Sequence, residues 1–150
     1  MSTQKIVLLS DRRFVNKKNG PYNKEGQEII LLQGKKKESD QKNIPILWEK
    51  LLEYLESDEI NDFVIHIADQ KALKFIYLAT KNRVMPLRDK SITFVTGCHP
   101  TQKTNEEILT TILNDPKRII VKSCEDDGCS TMKKIFEDFL HKKSKLNTIS

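Results

Sequence analysis

A strand, a capped helix and a second strand follow one another between Ser91 and Glu125, and this succession restricts the fold more than any other feature. Residues 91–95 (SITFV) and 118–121 (RIIV) are short runs rich in β-branched and aromatic side chains, which are typical of buried strands. Between them, Thr104 opens a capping box, TNEE, and apolar residues then recur at helical spacing. A crossover that holds a helix joins parallel strands of one sheet. The stretch therefore predicts a βαβ unit.

Apolar runs elsewhere extend this unit into a larger sheet. We predict further strands at Lys5–Ser10, Glu28–Gln33 and Asp62–Ala68, with helices between most of the strands. The expected fold class is α/β, a three-layer sandwich with a mainly parallel five-stranded sheet, flavodoxin-like or Rossmann-like. Residues 1–141 are expected to form a single domain, and residues 142–150 a basic, flexible tail.

Several local patterns predict where single residues lie. Asn43 is expected to cap a helix whose apolar stripe includes Trp48, which we interpret as a core residue. His66 lies inside a predicted strand between two isoleucines, so it is also interpreted as a core residue. The stretch Asn16–Gln27 is rich in Asn, Gly and Pro, and is expected to be a mobile loop or the tip of a long hairpin.

Composition restricts the class of protein and its location. Hydrophobic residues make up 37% of the 150 residues and charged residues 31%, as in ordinary globular chains. No apolar run approaches the roughly 20 residues that span a bilayer, and no signal peptide is recognisable at the start. The three cysteines do not form the regular framework of a secreted domain. We therefore expect a cytoplasmic protein without a membrane partner.

Positive charge is concentrated in one region. The formal net charge is +5, and between Asp11 and Lys42 nine Lys and Arg residues stand against five Asp and Glu residues. Such an excess is compatible with an anionic ligand or with nucleic acid bound through lysine-rich loops. It is also compatible with a solvated, lysine-rich surface, because aromatic residues are not interleaved for base stacking. Both interpretations stay open at this point.

Polar side chains that could carry chemistry follow or close four predicted strands. Asp11, Asp69, Thr96 and Lys122 each stand near the carboxyl end of a different strand. The carboxyl ends of parallel strands meet at one edge of a sheet, where ligands bind. Carboxylates bind a hard cation such as Mg²⁺ and can accept a phosphoryl group, while a hydroxyl and an ammonium hold phosphoryl oxygens. The constellation therefore indicates a site for phosphoryl chemistry.

Residues 62–142 resemble the response-regulator receiver domain. The segment MPLRDKSITFVTG is similar to the entry into the fourth receiver strand and its hydroxyl residue, and DPKRIIVKSCEDD to the fifth strand and its lysine. The resemblance implies that Asp69 is the phosphoacceptor, Thr96 the hydroxyl and Lys122 the cation. It also implies that Asp11 and Asp69 are metal ligands, and that the protein is a signalling module with a protein partner.

Three positions differ from the receiver pattern. Receivers usually end the first strand with two adjacent acids, whereas Ser10 precedes Asp11 here and two arginines, Arg12 and Arg13, follow it. A loop rich in turn formers stands where receivers have a first helix. Ser123 replaces the proline that normally follows the lysine. These differences imply a pseudo-receiver that works by docking and is phosphorylation-incompetent.

A loop after the fourth strand suggests an alternative. Gly97, Cys98 and His99 lie in a polar loop that leads into a predicted helix. A helix amino end can hold an anion or depress the pKa of a thiol, so Cys98 is a candidate nucleophile. The protein would then be a small enzyme acting on a phosphorylated or nucleotide-like substrate. Its anion holders would be Arg12, Arg13 or Lys35.

Overall fold

A six-stranded sheet forms the centre of the computed structural model, which describes residues 3–37, 42–68, 90–97, 119–124 and 129–141. For residues 96–97, 119–124 and 141 only the backbone is described. The sheet order is β2-β3-β1-β4-β5-β6. The strands span β1 (Gln4–Ser10), β2 (Gly20–Lys24), β3 (Gln27–Gln33), β4 (Asp62–His66), β5 (Ser91–Gly97) and β6 (Ile119–Cys124).

The sheet is mixed, because one of its five strand pairs is antiparallel. β1 pairs in parallel with β3 on one side and with β4 on the other, and β4–β5 and β5–β6 are parallel as well. β2 runs antiparallel to β3. The α/β class is confirmed. The expected number of five strands is wrong, because β2 adds an edge strand that the apolar pattern does not predict.

β2 and β3 form a hairpin where a loop or a hairpin tip was expected. The two strands are joined at Glu25 and Gly26, and Lys24 is paired with Gln27 across the turn. Gly26 has a φ of +75°, a left-handed conformation that glycine adopts at no steric cost. A hairpin is therefore present, but its tip is only Glu25 and Gly26 and not the whole stretch. A mobile loop over the whole of Asn16–Gln27 is wrong, because residues 20–24 belong to the sheet.

One helix packs its apolar stripe on the first face of the sheet. Helix α1 spans Ile44–Leu55, and six of its residues are buried: Ile44, Leu47, Trp48, Leu51, Leu52 and Leu55. They share a core cluster with alternate residues of β1, Val7 and Leu9. Asn43 is the N-cap residue as expected, but its side chain makes no capping hydrogen bond. The predicted start of the helix is right and the predicted capping contact is wrong.

The second described helix packs on the opposite face. Helix α2 spans Cys129–Phe136 and continues as a π-helical turn over Glu137–His141. Its buried side chains, Met132 and Phe136, share a cluster with Ile6 and Leu8, which alternate with the β1 residues of the first face. Both faces of β1 are therefore covered, as its unbroken apolar sequence requires.

Two lysines of the segment around β2 donate hydrogen bonds to the π-helical turn at the end of this helix. Lys24 Nζ donates to the carbonyl oxygens of Asp138 and Phe139, at 2.8 and 2.7 Å, and Lys17 Nζ donates to that of Leu140 at 3.4 Å. Terminal helix carbonyls lack partners within the helix and carry partial negative charge, so ammonium groups stabilise them. Among the described residues, no helix is long and apolar enough to cross a membrane.

Candidate functional site

The strand order changes direction at β1, which makes its carboxyl end the natural place for a site. From β1 the chain passes through β2 to β3 on one side, and from β3 it crosses through α1 to β4 on the other side. Connections that leave in opposite directions open a crevice at such a point. Residues 10 and 11 and residues 66–68 form this edge, because Ser10 is paired with His66.

Asp11 joins the two strands at this edge. Its Oδ1 accepts a hydrogen bond from the backbone N–H of Ala68 at 2.9 Å, and its own N–H donates to the carbonyl oxygen of His66 at 3.3 Å. The residue is fully buried, with 0% of its surface exposed. A buried carboxylate needs such hydrogen bonds to offset the loss of its water shell. Asp11 therefore extends the β1–β4 pairing one residue past the strands.

The pocket beside Asp11 is narrow and mostly apolar. Five residues line it together with Asp11: Leu9, Ile44, Leu47, Trp48 and Ile67. The space is too narrow for a water molecule. The buried indole N–H of Trp48 makes no hydrogen bond within the described part of the chain. Mg²⁺ keeps several of its waters and requires octahedral oxygen ligands, so these surroundings of Asp11 do not suit it.

A serine and a histidine form a buried pair next to Asp11. Ser10 Oγ lies 2.8 Å from His66 Nδ1, and the same oxygen accepts the backbone N–H of Arg12 at 3.1 Å. Both side chains are fully buried. The ring of Phe14 lies 5.5 Å from the imidazole and 5.1 Å from the ring of Phe136. His66 is therefore a core residue, as expected from the sequence.

The two arginines that follow Asp11 have different surroundings. Arg12 is half-buried, and its Nη1 donates to Cys129 Sγ at 2.9 Å, which ties the end of β1 to the first turn of α2. Arg13 is exposed. Of the expected anion holders, Arg12 is engaged with α2, whereas Arg13 faces solvent. The contact between Arg12 and Cys129 joins residues 117 positions apart, and no local pattern indicates it.

The structure describes the other expected site residues only in part. Thr96 and Lys122 lie inside β5 and β6, because both strands continue past their predicted ends. In the backbone register Thr96 is paired with Ser123 and Lys122 with Val95, so the two occupy successive levels near one edge of the sheet. Gly97 ends β5. Asp69, Cys98 and His99 lie outside the described residues, and their roles stay predictions.

Gln33 is an important residue that the sequence analysis does not single out. It is buried at the end of β3, and its side-chain amide makes four hydrogen bonds to the backbone of residues 14–17. The side chain of Asn19 completes the arrangement by bonding the N–H and the carbonyl oxygen of Gln33, each at 3.1 Å. The chain after β1 is thus held against the end of β3. The sequence does contain a signal for this role, because Gln33 ends an apolar strand and a loop rich in Asn precedes that strand.

Gly34 lets the segments after β1 and β3 come close to one another. Its N–H donates to the carbonyl oxygen of Ser10 at 3.0 Å, and a Cβ at this position would collide with the carbonyl oxygen of Asp11. Two residues further on, the carbonyl oxygen of Lys36 accepts the N–H of Arg13 at 2.6 Å. The exits of the two strands therefore run side by side.

A buried lysine stabilises the opposite edge of the sheet. Lys90 is 4% exposed, and its Nζ donates to the carbonyl oxygens of Ser57 and Ile60, in the turn between α1 and β4. The ammonium lies 5.8 Å from the centre of the Phe63 ring. Burial lowers the pKa of Lys90 below its ordinary value, and the negative charge of Asp58 opposes this shift.

The carboxyl edge between β1 and β4 thus consists of a buried carboxylate, a buried Ser–His pair and an arginine bonded to α2. These groups hold backbone segments together. Among the described residues, no group of three His, Cys, Asp or Glu side chains could hold a metal ion. No protein-family model, curated protein or solved structure matches this chain.

Proposed function

We propose that this protein is a receiver-like regulatory module that acts by docking to another macromolecule and does not carry out phosphoryl transfer. The proposal includes the cytoplasmic location expected from the composition. It combines the resemblance of residues 62–142 to receivers with the arrangement of the sheet edge described above.

The order of the parallel strands supports a flavodoxin-like architecture. Without the edge strand β2, the order is β3-β1-β4-β5-β6. This is the pattern 2-1-3-4-5 of flavodoxin-like sheets, in which receivers are included, and it differs from the Rossmann order 3-2-1-4-5-6. The two described helices, which cover opposite faces of β1, are consistent with a three-layer sandwich. The antiparallel β2 takes the place that a helix has between the first two strands of a receiver.

The environment of Asp11 is the observation that carries the docking interpretation. Asp11 stands where the receiver pattern places a metal ligand, at the end of the first strand. Its side chain is fully buried beside apolar residues, and Oδ1 accepts the N–H of Ala68. A carboxylate that helps to bind hydrated Mg²⁺ must instead reach water-filled space. Here the strand order of a receiver is retained, but this carboxylate bonds the backbone of β4's exit. Such a fold is suited to docking to another macromolecule and not to Mg²⁺-dependent phosphoryl transfer.

Incubation with a small phosphodonor and Mg²⁺, followed by intact mass spectrometry, tests the proposal. We expect no phosphoryl adduct, under conditions in which an active receiver domain in a parallel reaction is modified. An adduct that forms on the wild type and disappears in Asp69→Asn would overturn the proposal, because it would show a working phosphoacceptor. Asp11→Asn is the matched control for Asp69→Asn. It removes the carboxylate charge of Asp11 but keeps a side-chain oxygen that can accept the Ala68 N–H.

A further inference from the structure

Four exposed cations lie together at the carboxyl ends of β1 and β3. We call Arg13, Lys35, Lys36 and Lys37 the basic rim; all four are exposed. Arg13 comes from the segment after β1, and the three lysines follow β3. The hydrogen bond from Arg13 N–H to the carbonyl oxygen of Lys36, 2.6 Å long, holds the two segments side by side. Exposed cations more than 20 positions apart in sequence thus lie on adjacent backbone segments.

Several described lysines outside the rim make polar contacts within the protein, whereas the side chains of the rim make none with the described residues. Among the described residues, Lys5 contacts Glu59, Lys17 and Lys24 donate to helix carbonyls, and Lys90 donates to carbonyls of the turn before β4. The side chains of the rim make no hydrogen bond or ion pair with the described residues. Over residues 11–13 and 34–42, six basic residues stand against three acidic ones, and one of those acids, Asp11, is buried.

The rim is also held in place from beneath. The side-chain amide of Gln33 bonds the backbone of Phe14 and Val15, directly after Arg13. Gly34, directly before Lys35, allows the segments after β1 and β3 to come close to one another. Lysine and arginine side chains on a fixed backbone lose less conformational entropy on binding a regular array of charges than those on a mobile segment. A surface of this kind suits a partner with evenly spaced negative charge.

We infer that the basic rim binds the phosphate backbone of duplex nucleic acid, without reading its sequence. This inference rests on the proposed docking function and names its partner. Duplex backbones carry dense, regular negative charge that lysine and arginine neutralise. Single strands are usually held by stacked aromatic side chains, and the aromatic residue beside the rim, Phe14, is packed against His66 and Phe136. The chemistry of the rim therefore favours a duplex over a single strand.

Fluorescence anisotropy with a labelled duplex of arbitrary sequence tests this inference on the full chain. We expect binding at low salt that weakens on the order of a hundredfold between about 50 and 200 mM salt. Four phosphate contacts give a slope of roughly −3.6 when the logarithm of the binding constant is plotted against the logarithm of the salt concentration. Two duplexes of different sequence should bind equally well. A single strand of the same length should bind more weakly.

A matched pair of triple variants assigns the binding to the rim. The variant Lys35→Gln, Lys36→Gln, Lys37→Gln removes three rim charges, and Lys50→Gln, Lys133→Gln, Lys134→Gln removes three exposed charges from the helices. We expect the rim variant to bind at least roughly tenfold more weakly than the helix variant. The magnitude of its slope of log binding constant against log salt concentration should be smaller by about 2.7. Thermal unfolding should show both variants folded, because exposed lysines contribute little to stability.

Three outcomes would overturn the inference. These are absence of duplex binding at low salt, equal loss of affinity in both triple variants, and competition by polyglutamate as effective as that by duplex. The last would assign the rim to an acidic protein. None of these outcomes affects the proposed docking function, which fails only through the phosphoryl adduct on Asp69. The two proposals therefore fail separately.

Discussion

Replacing Gln33 tests how the chain after β1 is held in place. Its Oε1 accepts the N–H groups of Phe14 and Val15 at 2.9 and 3.3 Å, and its Nε2 donates to the carbonyl oxygens of Val15 and Lys17 at 2.8 and 3.0 Å. Gln33→Leu removes all four contacts at nearly constant volume. Gln33→Glu keeps the shape but replaces two donors with a carboxylate oxygen that faces two carbonyls.

The expected cost follows from the burial of each contact. The two contacts to Val15 are buried, and an unsatisfied buried backbone group costs about 1–3 kcal/mol. The contacts to Phe14 and Lys17 are partly exposed, so water replaces much of what is lost there. We expect Gln33→Leu to lower the free energy of unfolding by about 3 kcal/mol. Gln33→Glu should cost at least as much at neutral pH, because it also buries a charge.

Urea unfolding followed by circular dichroism measures this cost, with Gln27→Leu as the control. Gln27 lies in the same strand, but its amide makes one exposed hydrogen bond, to Gln4 at 3.2 Å. The control should lie within about 0.5 kcal/mol of the wild type. Amide exchange at Phe14 and Val15 should accelerate only in the Gln33 variants. If Gln33→Leu is as stable as Gln27→Leu, the proposed role of Gln33 in holding this segment is refuted.

Three further substitutions test other contacts by urea unfolding. Gly34→Ala should cost about 1–3 kcal/mol, because its Cβ would meet the carbonyl oxygen of Asp11; an unchanged stability would contradict this close approach. Lys90→Met should cost about 2 kcal/mol at neutral pH through the loss of two carbonyl contacts. Because burial lowers the pKa of Lys90, the folded protein releases this proton before the unfolded chain does. The advantage of the wild type over Lys90→Met should therefore grow as the pH rises towards 10.5, and a shrinking advantage would refute this reasoning. The hydrogen bond and charge of Lys5 lower the pKa of exposed Glu59, so the difference between wild type and Glu59→Gln should be present at neutral pH and disappear as the pH falls through that pKa; a difference that persists in acid would have another origin.

The parts of the fold that the sequence predicted are those with strong apolar periodicity. The six-residue apolar stripe of α1 and the runs that form β1, β3, β4 and β5 each indicate their element without reference to the rest of the chain. β2 reads GPYNK, which has no apolar alternation. It is a strand because β3 offers it an unpaired edge, and pairing of this kind depends on tertiary structure.

The candidate site was predicted less completely than the fold. The position of Asp11 at a strand end followed from the apolar run before it, but its burial depends on α1, which packs against the same edge. The contact of Arg12 with Cys129 joins distant parts of the chain. Whether a polar residue at a strand end faces solvent or the interior is decided by the elements that pack beside it. A single sequence does not contain that information in local form.

The single tryptophan gives the most direct test of the central claim, which is that the groups at the β1–β4 edge hold backbone segments together and do not bind a cation. Trp48 is 3% exposed and lines the pocket together with Asp11, so its fluorescence reports on any ligand that enters there. We predict blue-shifted emission that is protected from aqueous quenchers and unchanged by Mg²⁺ through the millimolar range. A saturable change of emission with Mg²⁺ that is lost in Asp11→Asn would contradict the account, because it would show that Asp11 binds the cation.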